Sequence, residues 1–308
     1  MTSPVRLALI GAGRMGRMHL QALVESDTVN VAAIVDPMGP ARAAAAEIDP
    51  RPRACAELDE ALQEPIDGVL IAAPTPLHER VVRACAERGL PILCEKPCGS
   101  STAEIDGAAA AAEAAGVMLQ IGYWRRYVPE LIALRERIAA GEFGDVLQLT
   151  CWQWDGEPPA DAFRASSGGI AIDMGVHEFD QARWLMGHEL SQPCGAAIGG
   201  PVEGDVDCAA IMLELAGGGA VVVSLGRYFP HGDCVWVDVM GTRDAARVEV
   251  LWGEDKTWHA ALRAQAEDFA RAVTSGEPSR GASAADARRA LELAVLSQAE
   301  INAAGAGC

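Results

Sequence analysis

Three side chains that could move a proton lie close together between Ser167 and Leu185, namely Asp173, His177 and Asp180. If this stretch is helical, spacings of four and three residues put all three side chains on one face. A histidine with a carboxylate one helical turn away on each side can serve as a proton-transfer group near neutral pH. A solvated amphipathic helix would show the same pattern, so the rest of the chain must decide between the two interpretations.

The chain has 308 residues, which exceeds one typical core and suits about two domains. Half of the residues are apolar, and the formal net charge, 25 − 43, is −18. This acidic excess argues against nucleic acid as a partner and against an anionic membrane surface. No apolar run approaches the ~18 residues of a membrane helix. The first apolar run enters a glycine-rich turn at once, which is atypical of a signal peptide.

Nine cysteines are scattered along the chain, and none belongs to a C-x-x-C pair. An odd count without such spacing indicates neither a disulfide framework nor a zinc site, so we predict no metal. Free thiols suit a reducing compartment, and the sequence predicts a cytoplasmic protein. Composition shifts near residue 122, because all seven tryptophans follow it. This shift predicts one domain at 1–122 and a second at 123–308.

The chain begins with a glycine-rich loop of the G-x-G-x-x-G type, formed by Gly11, Gly13 and Gly16. An apolar strand at 5–10 precedes the loop and a helical stretch to about residue 25 follows it, which is the context of a dinucleotide-binding unit. The first glycine permits the tight turn, the second lets a pyrophosphate approach, and the third lets the helix pack on the strand. The helix N-terminus then faces the phosphates with free N–H groups.

A second apolar strand, 29–35, ends at Asp36, twenty residues past Gly16. A carboxylate at this position can accept hydrogen bonds from both hydroxyls of an adenosine ribose and would repel a 2′-phosphate. We therefore predict NAD rather than NADP as the cofactor. The other interpretation of Asp36 is a helix N-cap after the strand.

Strand and helix patterns alternate through the rest of the first domain, with strands at 68–73, 92–94 and 117–121 and helices at 77–88 and 102–115. This pattern is typical of a doubly wound α/β fold, whose ligand lies across the carboxyl ends of the parallel strands. Lys96 directly follows one strand, where partial burial can make an amine chemically useful. An ordinary surface lysine would fit the same loop.

Beyond residue 122 the patterns predict a helix at 130–140, strands at 146–154, 206–215, 220–226, 234–240 and 246–251, and helices at 260–274 and 284–303. Three glycines at 217–219 predict a hairpin turn. Trp152 and Trp154 lie on one face of their strand. Such a face can support a sugar ring or simply fill a core.

Several segments together resemble the Gfo/Idh/MocA family of oxidoreductases, in the family's order and at its spacing. They are ALIGAGRMGRMH at 8–19, VDP at 35–37, APTPLH at 73–78, GLPILCEKPCG at 89–99, GYWRRYVPEL at 122–131 and SGGIAIDMGVHEFDQARWLMG at 167–187. The resemblance implies an α/β chain, with an N-terminal Rossmann domain built on a doubly wound parallel sheet. It also implies a C-terminal α+β domain with a large, mostly antiparallel, open-faced sheet, and assembly as a homodimer or homotetramer.

The resemblance implies a catalytic group of Lys96, Asp173 and His177, from the family's E-K-P and G-G-x-x-x-D-x-x-x-H motifs. His177 would act as general base on the hydroxyl being oxidised, Lys96 would polarise its oxygen, and Asp173 would contact the substrate or orient the histidine. The implied cofactor contacts are Gly11, Gly13, Arg14, Met15, Gly16, Asp36, Pro74, Thr75, His78, Glu95 and Lys96. The implied substrate contacts are Lys96, Tyr123, Arg126, Trp152, Asp173, His177 and Asp180.

The sequence therefore predicts an NAD-dependent dehydrogenase acting on a secondary hydroxyl of a cyclic polyol or sugar, with inositol first and an aldose second. A non-catalytic NAD-binding regulator of the same fold and a family reductase of a keto-sugar, imine or enone are the alternatives. The segment HGDCVW at 231–236 departs from inositol-type members, with Cys234 and Trp236 where an Asp and an Arg are expected. This departure leaves the particular substrate open. A loop histidine such as His231 is more often solvated than bound to substrate.

Overall fold

The structure, a computed structural model, describes residues 3–165, 167–202, 205–252 and 257–306. The chain divides into two compact units, and each consists of two segments. The first unit holds residues 1–127 and 259–288, and the second holds residues 128–258 and 289–308. The predicted single boundary after residue 122 therefore differs from the structure, in which the chain returns to the first unit after the second sheet.

Six strands belong to the first unit: β1 Val5–Ile10, β2 Val29–Val35, β3 Arg53–Cys55, β4 Gly68–Ile71, β5 Ile92–Cys94 and β6 Leu119–Ile121. They form one parallel sheet in the order β3-β2-β1-β4-β5-β6. The order reverses between β1 and β4, so the loops that follow these two strands flank the switch point at which such sheets bind their ligands. The predicted doubly wound sheet is confirmed.

The helices that follow these strands are α1 Arg14–Leu23, α2 Gly39–Ile48, α3 Leu58–Ala61, α4 His78–Ala86 and α5 Thr102–Ala114, with 3₁₀ turns at Thr75–Leu77 and Trp124–Tyr127. The start of α5 shows why the local sequence is helical. The hydroxyl of Ser101 accepts the N–H of Glu104, and the Glu104 carboxylate accepts the N–H of Ser100. The first bond satisfies a backbone donor that the first helical turn leaves without a partner, and the second fixes the chain just before the helix.

The strands of the second unit are β7 Val146–Trp154, β8 Gly195–Val202, β9 Asp205–Glu214, β10 Ala220–Gly226, β11 Cys234–Gly241 and β12 Ala245–Trp252. They form a sheet in the order β12-β11-β7-β10-β9-β8, which is antiparallel except for the parallel pair of β7 and β10. The predicted mostly antiparallel sheet is confirmed. The sequence did not predict β8, whose glycine, alanine and proline residues have low strand propensity.

The helical elements of the second unit before β8 are α6 Pro129–Ala139, α7 Asp161–Arg164, a π-helical turn at Ala171–Gly175 and α8 Val176–Met186. Gly187 ends α8 in the left-handed conformation, with φ +65°, which glycine adopts without steric cost. Within the described ranges, no helix is both long and apolar enough to cross a membrane.

Two long helices close the chain, α9 Thr257–Ser275 and α10 Ala284–Ala306. Most of α9 belongs to the first unit, where Ala266, Phe269 and Ala270 join the core cluster that contains Leu7 and Leu9 of β1. These three residues lie on one face of the helix because they are three and four positions apart. Burial of this apolar face explains why the segment returns to the first sheet.

Candidate active site

The glycine loop between β1 and α1 has the shape of a phosphate cradle. Gly11 has φ +98°, and Gly16 packs so closely on the Gly11 carbonyl that a side chain would overlap it. Gly13, in contrast, is exposed, and a Cβ built on it would meet no atom within 4 Å. The loop therefore leaves open space at the position where the dinucleotide pyrophosphate approaches the backbone in this motif. These residues fit a nicotinamide dinucleotide.

Alanine at Gly13 and alanine at Gly16 should give opposite phenotypes. Gly13→Ala should leave the melting temperature within about 2 °C of the wild type, because its new methyl meets no protein atom, yet weaken NADH binding at least about tenfold by standing in the phosphate path. Gly16→Ala should lower the melting temperature, because the methyl overlaps the Gly11 carbonyl. Thermal unfolding and NADH fluorescence titration measure both effects. Equal NADH affinity in Gly13→Ala and the wild type would contradict the assignment.

Asp36 directly follows β2 and fastens the glycine loop. Its carboxylate accepts the N–H of Ala12 at 2.8 Å through Oδ2 and the N–H of Met38 at 2.8 Å through Oδ1. The N-cap residue of α2 is Met38, so Asp36 is not the helix cap. Each carboxylate oxygen can accept a second hydrogen bond, which leaves capacity for the hydroxyls of a ribose.

Two predicted cofactor residues, His78 and Glu95, make hydrogen bonds to protein groups. The ring nitrogens of buried His78 lie 2.7 Å from the carbonyl oxygens of Pro97 and Ala73. Both ring positions are thus engaged within the chain, and His78 joins the loop after β4 to the loop after β5. Glu95 is also buried and receives the N–H of Lys96 at 3.1 Å through Oε2. Contact of either residue with the cofactor stays a prediction.

The other carboxylate oxygen of Glu95 lies 2.7 Å from Nε2 of His19, a residue of α1 that is only 1% exposed. This buried pair links the helix after the glycine loop to the loop that carries Lys96. The sequence interpretation missed His19 as a site residue, because its partner is 76 positions away and no local pattern marks the contact. Two other predicted cofactor residues, Pro74 and Thr75, lie after β4, where the 3₁₀ turn begins beside the switch point of the sheet.

The predicted helix around His177 is present, but it is not the solvated helix of the other interpretation. His177, Glu178, Asp180 and Gln181 are all at most 8% exposed. Asp173 lies in the π-helical turn that precedes α8, so the predicted continuous helical face is interrupted between Asp173 and His177. Single π-helical turns often occur at functional sites. Burial of this many polar groups at the start of a helix costs folding free energy unless each group has a hydrogen-bond partner. Their presence there favours a functional role for this part of α8.

The parallel pairing of β7 and β10 brings two unpredicted charged residues to one edge of the second sheet. Asp155 directly follows β7 and Arg227 directly follows β10, and the N–H of Asp155 donates to the Gly226 carbonyl at 3.0 Å. Arg227 donates through Nη1 to Asp173 Oδ2 at 2.6 Å. We call Asp155, Asp173, Arg227 and the neighbouring Asp233 the strand-end cluster. Position directly after a strand, the signal that identified Lys96, could have identified Asp155 and Arg227.

The carboxyl group of Asp155 has an unusual proton affinity. Burial, together with the negative charges of Asp233 and Asp173, raises its pKa to about 6, although the positive charge of Arg227 opposes the rise. A carboxyl group that is half-protonated near pH 6 at the end of a strand is a candidate functional group.

The remaining predicted substrate contacts are Trp152, Tyr123 and Arg126. Trp152 pairs with Ser224, and it points away from the sheet face on which Leu225 meets Gly175 before α8. It stacks on Trp236 with ring centroids 5.0 Å apart, so the structure favours packing for Trp152 and does not bring it to Asp173. In the first unit, Tyr123 is 1% exposed, and Arg126 is 8% exposed and lies 3.4 Å from Asp286.

The segment at 231–236, which departs from the pattern of inositol-type members, contacts the neighbourhoods of Asp155 and Trp152 in the second unit. Asp233 accepts the N–H of Gly156 at 2.9 Å, next to Asp155. Trp236 joins an aromatic group with Trp152, Trp252 and Phe229, and His231 packs edge-on against Phe229. His231 is exposed, as expected of a loop histidine.

A doubly wound sheet with a dinucleotide loop, followed by a second sheet with buried acid and histidine groups, defines an NAD-binding class of oxidoreductases. Residues 5–123 match the family described as "Oxidoreductase family, NAD-binding Rossmann fold", and residues 131–247 match the "GFO/IDH/MocA C-terminal domain". The chain belongs to the Gfo/Idh/MocA family of oxidoreductases.

Known proteins similar to this chain include two curated relatives and one solved structure. The chain is 47% identical over 296 residues to the rhizopine catabolism protein MocA of Rhizobium meliloti, with 94% of this chain and 92% of the relative covered. It is 34% identical over 260 residues to scyllo-inositol 2-dehydrogenase (NAD(+)) of Bacillus subtilis, with 82% and 75% covered. A crystal structure of a probable dehydrogenase from Thermotoga maritima superposes with a TM-score of 0.90 at 26% identity and covers 97% of both chains.

Proposed function

We propose that this protein is an NAD-dependent dehydrogenase that oxidises a secondary hydroxyl of a cyclic polyol, with inositols as the first candidates and aldoses as the second. The observation that carries the proposal is the buried polar start of α8, where His177 follows the ion-paired Asp173. The likeness to a relative named scyllo-inositol 2-dehydrogenase (NAD(+)) supports the substrate class.

In the proposed reaction, His177 takes the proton from the hydroxyl that is oxidised, because a neutral imidazole accepts protons near neutral pH. The ammonium group of Lys96 stabilises negative charge as it develops on the same oxygen. Asp173 holds the substrate or orients the histidine. The nicotinamide, when bound, supplies the hydride acceptor. In the reverse direction, the same groups would serve reduction of a ketone.

Asp36 supports NAD rather than NADP as the cofactor. Its carboxylate, held by the N–H groups of Ala12 and Met38, has a fixed position at the end of β2. A fixed negative charge at this position favours ribose hydroxyls and opposes a 2′-phosphate.

Purified protein should reduce NAD in the presence of at least one inositol isomer or common aldose, and kcat/KM should be at least about tenfold higher with NAD than with NADP. Absorbance at the NADH band across such a panel measures both quantities. NADH fluorescence titration provides the control, because it reports cofactor binding without turnover. Tight NADH binding with no turnover of any polyol or sugar would reject the dehydrogenase and favour the regulator, and a preference for NADP would reject the role of Asp36.

A further inference from the structure

Arg227 is a fully buried cation that ties the π-helical turn to the second sheet. Its side chain is 0% exposed, and it donates to Asp173 at 2.6 Å and to Asp205 at 3.0 Å. The N–H of Arg227 also donates to the Asp207 carbonyl at 2.8 Å, which fixes the backbone at the end of β10. A buried guanidinium costs several kcal/mol in desolvation unless good partners surround it. The two carboxylates supply those partners.

A second arginine shares one of these carboxylates. Arg164, which ends α7, donates to Asp205 at 3.1 Å and to Asp207 at 3.0 Å. The ion pairs therefore run in series from Arg164 through Asp205 to Arg227 and on to Asp173. The first three residues of the series are at most 8% exposed, whereas the side chain of Asp173 is 20% exposed. The series thus ends on a carboxylate that a ligand can reach.

Arg227 also balances the charge of the strand-end cluster. Its positive charge lowers the pKa of Asp155, against the effects of burial and of the two neighbouring carboxylates. The cluster holds three aspartates and one cation. The position of Arg227 therefore determines how much negative charge the cluster presents to a polar ligand. Planar geometry with several donors lets an arginine bridge two carboxylates, whereas a lysine ammonium acts as a point charge.

We propose that Arg227 is a positioning residue of the active site, which holds the carboxylate of Asp173 in place without touching the substrate. The inference rests on the proposed function, in which Asp173 contacts the substrate or orients His177. Arg164 has the same chemistry and shares the Asp205 carboxylate, but its ion pairs are with Asp205 and Asp207. It is therefore a matched control for the structural part of the network.

The test compares Arg227→Lys with Arg164→Lys. Each substitution keeps one positive charge and loses the bridging geometry, so both should lower the melting temperature by similar amounts. Arg227→Lys should lower kcat/KM for the inositol that the wild type oxidises at least about tenfold, with NADH affinity within about twofold of the wild type. Arg164→Lys should change kcat/KM by less than about twofold. Equal losses of kcat/KM in both variants would show a purely structural network and overturn the inference.

Asp205→Asn provides a second test that does not alter Arg227 itself. This variant removes the shared carboxylate charge and leaves the pair of Arg227 and Asp173 in place. It should be less stable than the wild type, yet retain kcat/KM within about threefold. A loss as large as that of Arg227→Lys would also overturn the inference. If the wild type itself oxidises no inositol or sugar, the proposed function fails first, and the inference falls with it.

Discussion

Replacing Lys96 or His177 with alanine is expected to lower kcat for an inositol substrate at least about 100-fold in each variant. His177→Ala removes the base that takes the hydroxyl proton, and Lys96→Ala removes the cation that stabilises charge on the oxygen. The loss should appear in kcat, because both groups act on charge that develops in the transition state. Steady-state kinetics with saturating NAD measure it.

The matched control for the histidine is His231→Ala. His231 is exposed and packs against Phe229, so its removal should change kcat by less than about twofold. NADH affinity should be unchanged in His177→Ala, because the proposed role of His177 is toward the substrate hydroxyl, whereas the glycine loop holds the pyrophosphate. Wild-type turnover in both Lys96→Ala and His177→Ala would remove these residues from the mechanism.

Asp155→Asn is expected to make the protein more stable at pH 8, by up to about 3 kcal/mol. The pKa of Asp155 rises from 3.8 to about 6 in the folded protein, and a pKa change of one corresponds to about 1.4 kcal/mol. The folded state thus holds the proton more tightly than the unfolded chain does. Its free energy of unfolding therefore falls as the pH rises from about 4 to about 6, and the cost is fully present above pH 6.

Urea unfolding of the wild type and Asp155→Asn at pH 8 and pH 5 measures this effect. The stability difference between the two proteins should shrink as the pH falls, because the wild-type carboxyl group then becomes protonated in the folded state. Asp233→Asn should give a smaller gain, since it removes one of the charges that raise the pKa of Asp155. The two gains should not add in the double variant, because both act through the same charge. A stability difference between the two proteins that is the same at both pH values would contradict the pKa assignment.

A gain in stability from removing Asp155 would indicate that the residue is kept for function. Ionised carboxylates that destabilise the fold cluster at active sites, where activity and stability oppose each other. The same variant should therefore be compared with the wild type on the inositol that the wild type oxidises.

The sequence was sufficient for the elements whose signals are local. The apolar run before Gly11 predicted β1, and the runs at 146–154 and 220–226 predicted β7 and β10 with the bounds that the structure shows. The glycine loop and the carboxylate at Asp36 follow from spacing alone, because the chemistry of phosphate and ribose requires those residue types there.

Position after a strand could mark Asp155 and Arg227 one by one, but their proximity in the strand-end cluster could not be predicted. Asp155 and Arg227 meet only because β7 pairs in parallel with β10, and parallel pairing across such a separation leaves no local sequence pattern. The burial of α8 was equally hidden, since its polar residues resemble a solvated face until their partners are known. His78 and Glu95 match family motifs, yet only the folded structure shows that their polar atoms bind protein groups.

The placement of Phe269 in the core of the first unit has a consequence for how the protein is made. The first six strands leave the ribosome well before α9, and at about 5–20 residues per second the delay is on the order of 10 s. During that interval, Leu7 and Leu9 lack the apolar helix face that covers them in the finished protein. We therefore expect the first unit to complete its hydrophobic core only after the second sheet has been synthesised.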